Sequence, residues 1–185
     1  MNDILQQTLR KLEKTRNDFW NIPKETGNFL NMLVKMNNSQ NVLEIGSSNG
    51  YSGLWFLEAL SYTGGHFTTI EFHDKRRVPA IENYLQCGFD GKFTSIRGRS
   101  CEIIEDMPAD TVFDFVFIDA NKAEYVRNLE LIKPHLQSNA VVAADNVISH
   151  KEKVKDFLDK IYADKDFQTE IINLPGGLSV SYKLN

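Results

Sequence analysis

One stretch, residues 41–53, constrains the fold of this chain more than any other. It reads Asn-Val-Leu-Glu-Ile-Gly-Ser-Ser-Asn-Gly-Tyr-Ser-Gly. The apolar run at 42–45 predicts a buried strand, Gly46 and Gly50 end it, and a helix is predicted from Tyr51. Small residues let a ligand approach the backbone, and a helix N-terminus offers free N–H groups. The stretch therefore predicts a loop that binds a ligand with a nucleoside-like part.

Glu44 is the one charged residue inside that apolar strand. A buried carboxylate is costly unless it is hydrogen-bonded. We therefore expect Glu44 to accept hydrogen bonds from the backbone near the glycine loop.

The rest of the chain alternates between strand and helix patterns. Further strands are predicted at 66–71, 92–97, 113–118 and 139–144, and helices at 51–61, 74–86, 101–106, 123–134 and 150–163. Residues 167–173 and 178–184 predict an antiparallel hairpin, because the link between them is too short for a crossover helix. The sequence thus predicts an α/β fold, with a mainly parallel sheet, helices on both faces and a C-terminal antiparallel hairpin.

The N-terminal residues, 1–38, predict helices that precede the first strand. The first helix has a polar face, interpreted as solvated, that carries Arg10, Lys11, Lys14 and Arg16. A second helix is predicted from Pro23 to about Met36. Three apolar residues before or at its start are candidates for substrate contact or for packing on the core: Phe19, Trp20 and Ile22.

Length, charge and cysteine content indicate which classes of protein this chain can belong to. A length of 185 residues predicts a single domain, 1–185, and a net charge of −4 argues against a broad nucleic-acid surface. The two cysteines, Cys87 and Cys101, lack metal-type spacing and are interpreted as free thiols in a reducing compartment. No run approaches the roughly 18 apolar residues of a membrane span, and the N-terminus lacks the apolar region of a signal peptide. We expect a cytoplasmic protein without membrane contact.

Acidic and amide side chains follow several predicted strands. Glu71, Asp119, Asp145 and Asn146 each stand at a strand end, and the ends of parallel strands meet at the edge where ligands bind. Glu71, at the end of the second strand, occupies the place of an acid that accepts hydrogen bonds from ribose hydroxyls. Capping of the next helix is the alternative for Glu71.

The glycine spacing differs from that of dinucleotide-binding proteins. Those proteins use Gly-x-Gly-x-x-Gly, whereas Ser48 stands here in the place of the middle glycine. The pattern Glu44-x-Gly46-x-Ser48-x-Gly50 resembles motif I of class I S-adenosylmethionine (SAM) methyltransferases.

The second half of the chain narrows the resemblance. Phe115-Val-Phe-Ile-Asp119-Ala-Asn-Lys122-Ala-Glu-Tyr125 and Ala144-Asp145-Asn146 are similar to the metal-dependent O-methyltransferases typified by catechol and caffeoyl-coenzyme A O-methyltransferases. The likeness runs from about Ile22 to Lys183. It implies a Rossmann-like class I methyltransferase fold, a SAM-binding core at 39–185 and a homodimer.

The resemblance implies a role for each site residue. Gly46, Ser47 and Ser48 would lie under the methionine part of SAM, Ser52 would contact its carboxylate and Glu71 its ribose. Gly98, Ser100 and Cys101 would form the adenine end, with Ser100 as its hydrogen-bonding residue. Glu44, Phe72 and Asp119 also belong to the implied cofactor site.

The resemblance also implies a metal site and a general base. Asp119, Asp145 and Asn146 would bind a divalent cation, and hard oxygen ligands of this kind suit Mg²⁺. A cation that holds two adjacent substrate oxygens lowers the pKa of the reacting hydroxyl. Lys122 would take its proton, and the oxyanion would attack the methyl group of SAM.

The implied activity is SAM-dependent methylation of a hydroxyl on a small, vicinal-diol or catechol-like acceptor. Two positions depart from the catechol-type pattern: Ser179 replaces an acidic residue, and Ala120-Asn121 lacks a tryptophan. Three alternatives stay open. They are methylation of a hydroxylated uridine in tRNA, with the basic first helix on the phosphates, a nicotinamide-dependent oxidoreductase, and a non-catalytic SAM-binding module.

Overall fold

The computed structural model describes residues 1–184 and shows one seven-stranded sheet with eight α-helices. The strands are β1 (Asn41–Ile45), β2 (His66–Glu71), β3 (Phe93–Arg97), β4 (Phe113–Ile118), β5 (Leu136–Asp145), β6 (Phe167–Ile172) and β7 (Leu178–Lys183). The helices are α1 (Asp3–Glu13), α2 (Arg16–Phe19), α3 (Lys24–Met36), α4 (Tyr51–Thr63), α5 (Asp74–Gln86), α6 (Ser100–Glu105), α7 (Tyr125–Ile132) and α8 (Lys155–Ala163). The last residue of the predicted domain, Asn185, lies outside the described residues.

The sheet has the order β3-β2-β1-β4-β5-β7-β6. Strands β1 to β5 pair in parallel, and β7 pairs antiparallel with both β5 and β6. The predicted fold class, including the C-terminal hairpin, is confirmed.

Alternate residues of the central strands contribute to two separate hydrophobic cores, one on each face of the sheet. In β4, Phe115 and Phe117 pack on one face, and α4 covers them with Phe56 at ring-centroid distances of 5.8 and 5.6 Å. The residues between and after them, Val116 and Ile118, join the core under α6, α7 and α8 on the opposite face. Both faces of the sheet are therefore apolar, which is why helices cover both.

The order in which the chain adds strands to the sheet reverses at β1, with β2 on one side and β4 on the other. The chain moves outward from β1 to β3 and then returns to place β4 on the other side of β1. The end of β4 is tied to the end of β1, where Asp119 N donates to Ile45 O at 2.9 Å. A crevice at such a reversal is where open α/β sheets bind ligands.

One predicted helix begins later than expected. The pattern predicted a helix over 150–163, but α8 begins at Lys155 and residues 147–154 form turns. The backbone N–H groups of Ile148 and Ser149 donate to Gly176 O at 3.0 and 2.9 Å. These hydrogen bonds tie the turn segment 147–154 to the β6–β7 turn at the end of the sheet.

The N-terminal region also differs in detail from the expectation. The first helix ends at Glu13, and α2 follows as a separate short helix before α3. Within residues 1–184, no helix is both long enough and apolar enough to span a membrane.

Candidate active site

A cleft of about 1070 Å³ opens at the carboxyl edge of the sheet, above the ends of β1 and β4. It is lined by the predicted site residues Gly46, Ser47, Ser48, Ser52, Glu71, Phe72, Gly98, Ser100, Asp119, Lys122, Asp145 and Asn146. The structure thus brings together residues from five separate loops. Two predicted residues do not line the cleft: Glu44 is fully buried beneath it, and Cys101 lies on α6 with only 8% of its surface exposed.

Gly46 is the point of closest contact between the two loops at the centre of the cleft. Its φ is +98°, and a Cβ atom there would lie 2.3 Å from the carbonyl oxygen of Asp119. Side chains rarely adopt such a φ, and the contact leaves no room for one. Glycine at this position therefore lets the β1 loop lie directly against Asp119.

Glu44 has side-chain partners, which corrects the expectation of backbone partners. Its carboxyl group accepts hydrogen bonds from the hydroxyls of Ser52 and Thr69, the latter at 2.8 Å. Burial raises the pKa of Glu44 to about 8, so the group is mainly protonated at neutral pH. Ser52 is the residue expected to contact the cofactor, so Glu44 supports the cleft from below.

Glu71 ties two loops together through backbone donors. One carboxylate oxygen accepts from Ser48 N at 3.1 Å, and the other accepts from His73 N at 2.9 Å. Glu71 lines the cleft although it is only 7% exposed. The carboxylate thus fixes the glycine loop relative to the start of α5.

The predicted adenine end has an internal partner that the sequence did not reveal. Ser100 Oγ donates to Asn128 Oδ1 at 2.8 Å, and Cys101 Sγ donates to the same atom at 3.4 Å. The hydroxyl proton of Ser100 is therefore already engaged within the protein. Phe72 is 48% exposed in the cleft wall, and the guanidinium of Arg99 lies 5.2 Å from its ring centroid.

Lys122 is fixed at the other end of the cleft by two oxygen acceptors. Its Nζ donates to Asp119 Oδ1 and to the Tyr125 hydroxyl, both at 2.8 Å. Tyr125 in turn donates to the backbone oxygen of Asp145 at 3.3 Å. The buried phenol thus links the base candidate to the end of β5.

Asp145 has one satisfied and one unsatisfied carboxylate oxygen. Oδ2 accepts from Asn146 Nδ2 at 2.8 Å, whereas Oδ1 is buried and has no partner within residues 1–184. Burial, and then the charge of Asp119, raise the pKa of Asp145 to about 7. A buried oxygen without a donor is suited to a cation, and two carboxylates with an amide form a hard donor set that fits a divalent ion.

The N-terminal residues form the roof of the cleft. Ser48 Oγ donates to Phe19 O at 2.7 Å, and the guanidinium of Arg76 lies 4.4 Å from the centroid of the Trp20 ring. Phe19, Trp20 and Ile22 all line the cleft, as one of the two readings of the sequence expected. Ile22 is also packed in the core, with 4% of its surface exposed.

Several residues of the site were missed or misread in the sequence. Thr69 lies directly beside Glu44 in the register of β1 and β2, so the pairing of neighbouring strands was a usable signal. Tyr125 lies three residues after Lys122, one helical turn away. Arg16, which was interpreted as solvated, lines the cleft instead. Lys153, in the turn segment 147–154, also lines the cleft. No local pattern indicated Asn128 or the position of these two cations.

Comparison with known proteins gives matches over most of the chain. A family model described as O-methyltransferase matches residues 1–173. A catechol O-methyltransferase of Niastella koreensis is 29% identical over 124 residues, covering 66% of this chain and 56% of that protein. A caffeoyl-CoA O-methyltransferase of Populus kitakamiensis is 29% identical over 143 residues, covering 76% of this chain and 60% of that protein.

The matched regions therefore span less than two thirds of the length of these two curated relatives. Among solved structures, the O-methyltransferase TomG from Streptomyces achromogenes, in complex with SAM, superposes with a TM-score of 0.86 at 22% identity. That superposition covers 100% of this chain and 91% of TomG. At this identity the likeness concerns the fold.

Proposed function

Because this chain belongs to the O-methyltransferase family, we propose that it transfers the methyl group of SAM to a hydroxyl of a small acceptor. The acceptor is a vicinal diol of catechol type, and a divalent cation, Mg²⁺ by the nature of the ligands, takes part. Related proteins named catechol and caffeoyl-CoA O-methyltransferases support this substrate class.

The observation that carries the proposal is the unsatisfied, buried Oδ1 of Asp145 beside the Asp119–Lys122 pair. It is the one carboxylate oxygen among the buried side-chain atoms that lack a partner within residues 1–184, and such an atom calls for an explanation. Its position in the same cleft as the glycine loop supports a cation and a methyl donor that act together. We assign Asp119, Asp145 and Asn146 as the metal ligands. The bound ion would supply charge stabilisation for the acceptor oxygen.

We assign the opposite wall of the cleft to SAM. Glu71 has its carboxylate beside Ser48 in the glycine loop, which suits an acceptor of ribose hydroxyl protons. Gly46, Ser47, Ser48 and Ser52 would hold the methionine part, and Phe72, Gly98 and Ser100 the adenine. The presence of SAM in the TomG structure supports this ligand. Glu44 and Cys101 act through Ser52 and Asn128 rather than on SAM.

We assign Lys122 as the general base that takes the proton of the acceptor hydroxyl. Asp119 and Tyr125 hold its nitrogen at the acceptor end of the cleft, and a base must lie within hydrogen-bond reach of the proton that it takes. Because SAM is already activated, most of the rate enhancement would come from alignment of the two reactants.

The test of the cofactor is calorimetric titration of the protein with SAM and, separately, with NAD. We expect saturable binding of SAM alone. Saturable binding of NAD without SAM would instead indicate the nicotinamide-dependent oxidoreductase that the glycine loop left open.

The test of the metal is methyl transfer to a catechol panel before and after chelation. We expect activity to be lost on chelation, to return with Mg²⁺ and to be absent in Asp145→Ala. Full activity after chelation would overturn the metal role. SAM binding without transfer to any acceptor would favour a non-catalytic module.

Three expectations from the sequence stay predictions: the domain boundaries, a two-fold homodimer and a cytoplasmic location. Light scattering of the purified chain tests the dimer by its molar mass.

A further inference from the structure

We propose that the acceptor carries an anionic group, a carboxylate or a phosphate, and that Arg16 and Lys153 bind it. Both residues line the cleft. This inference deepens the proposed function and rests on it, because it names a feature of the acceptor and the residues that select it.

Arg16 is oriented but not neutralised. Its Nε donates to Asn21 O at 3.1 Å, and its two Nη groups form no hydrogen bond or ion pair within residues 1–184. Because Arg16 lines the cleft, its two Nη groups are available there to bind an oxyanion through two donors.

Lys153 reaches the cleft because of the turn that replaces the first part of the expected helix. Its backbone N–H donates to His150 O at 2.8 Å. Earlier in the same turn segment, the backbone N–H groups of Ile148 and Ser149 donate to Gly176 O. Lys153 forms no ion pair with any residue in the described range 1–184, whereas the nearby Lys155 pairs with Asp159. The ammonium group at the cleft is thus available to a ligand.

The other cations of the cleft already have partners. Lys122 pairs with Asp119, Arg99 lies 3.8 Å from Glu124, and Arg76 stacks on Trp20. Arg16 and Lys153 are therefore the cleft cations that have neither an ion pair nor an aromatic partner within residues 1–184. Cations that have no partner in the protein favour an anionic group on the ligand. A nucleic acid would need a longer row of phosphate contacts, so we favour a small acceptor.

The test compares the affinities of matched catechols in the presence of S-adenosylhomocysteine, so that no turnover occurs. The probes are protocatechuate, the corresponding neutral alcohol and the phosphate ester of that alcohol. We expect at least one anion to bind roughly tenfold more tightly than the alcohol, and Arg16→Gln and Lys153→Gln each to reduce this preference roughly threefold. The anion that binds more tightly identifies the group.

Lys151→Gln is the matched control, since Lys151 is exposed on the same turn segment but does not line the cleft. Equal affinity for anions and alcohol, or an equal loss of preference in Lys151→Gln, would overturn the proposal. So would binding of tRNA that is weakened in Arg16→Gln and Lys153→Gln while the preference among catechols is unchanged.

Methyl transfer is measured on the same probes. Absence of transfer to all of them, with the anion preference intact, would refute the proposed function and leave the anion site standing. Equal transfer to all of them, with no preference in binding, would refute the anion site alone.

Discussion

At the scale of single residues, Glu44 shows how a buried acid supports the candidate site without lining it. Its pKa is raised from 4.5 to about 8 by burial. The folded state therefore binds this proton more tightly than the unfolded state does. The free energy of unfolding that this group contributes is highest below pH 4.5, falls as the pH rises towards 8 and is constant above that.

Glu44→Gln is expected to remove this fall, which has a slope of at most about 1.4 kcal/mol per pH unit. The variant should be the more stable protein at the alkaline end of the interval and resemble the wild type at the acidic end. Denaturant unfolding at both ends measures the difference. Parallel pH dependences of the two proteins would show that folding does not raise the pKa of Glu44.

Lys122 carries the second prediction at this scale. Lys122→Ala is expected to lower kcat by roughly a hundredfold to ten-thousandfold, because it removes the proposed general base. The affinity for SAM should be unchanged, because SAM is assigned to the opposite wall. Tyr125→Phe, which removes one of the two acceptors of Lys122 Nζ, should give a smaller loss. Wild-type kcat in Lys122→Ala would remove the base assignment and leave the metal assignment standing.

At the scale of elements, the turn after β1 depends on Gly46. Gly46→Ala places a methyl group 2.3 Å from Asp119 O at a φ of +98°. Gly88→Ala is the control, because Gly88 has a similar φ of +83° and nothing within 4 Å of the added atom. We expect about 1–2 kcal/mol of destabilisation in the control from the φ alone and a larger loss in Gly46→Ala.

Affinity for SAM should fall in Gly46→Ala and stay unchanged in Gly88→Ala. Thermal unfolding and calorimetry measure the two effects. Equal stability losses in the two variants would mean that the loop can move away from Asp119.

Most helices and strands were predictable from local sequence patterns. Strands 66–71 and 113–118 were predicted with the observed bounds, because aromatic and β-branched residues that end at an acidic residue are typical of strands. The start of α8 was predicted wrongly: residues 147–154 form turns, and this segment is tied through Ile148 and Ser149 to Gly176, which lies far along the chain. That error concerned the segment that brings Lys153 to the cleft.

At the scale of the whole molecule, the sequence predicted which residues meet at the cleft but not the hydrogen bonds between them. The parallel order of strands brings their ends to one edge, so Glu71, Asp119 and Asp145 were expected together and lie together. The partners of these residues come from other elements: Thr69 for Glu44 and Asn128 for Ser100. Such contacts depend on packing between distant segments, which a local pattern does not encode.

A cleft built from so many loops should become more stable when its ligand binds. At SAM concentrations about 100 times Kd, the free energy of unfolding should rise by about 2.7 kcal/mol. Glu71→Ala should reduce this gain by weakening SAM binding. Thermal unfolding with and without SAM measures the gain, and an unchanged transition at saturating SAM would contradict the assignment of this cleft.

The most direct measurement is single-turnover transfer of an isotopically labelled methyl group from SAM to protocatechuate in the presence of Mg²⁺, followed by NMR. The account predicts a labelled methyl ether on one ring hydroxyl, with S-adenosylhomocysteine formed in equal amount and no product from Asp145→Ala. SAM bound at the cleft with its label retained, for protocatechuate and for the neutral and phosphorylated catechols alike, would contradict it.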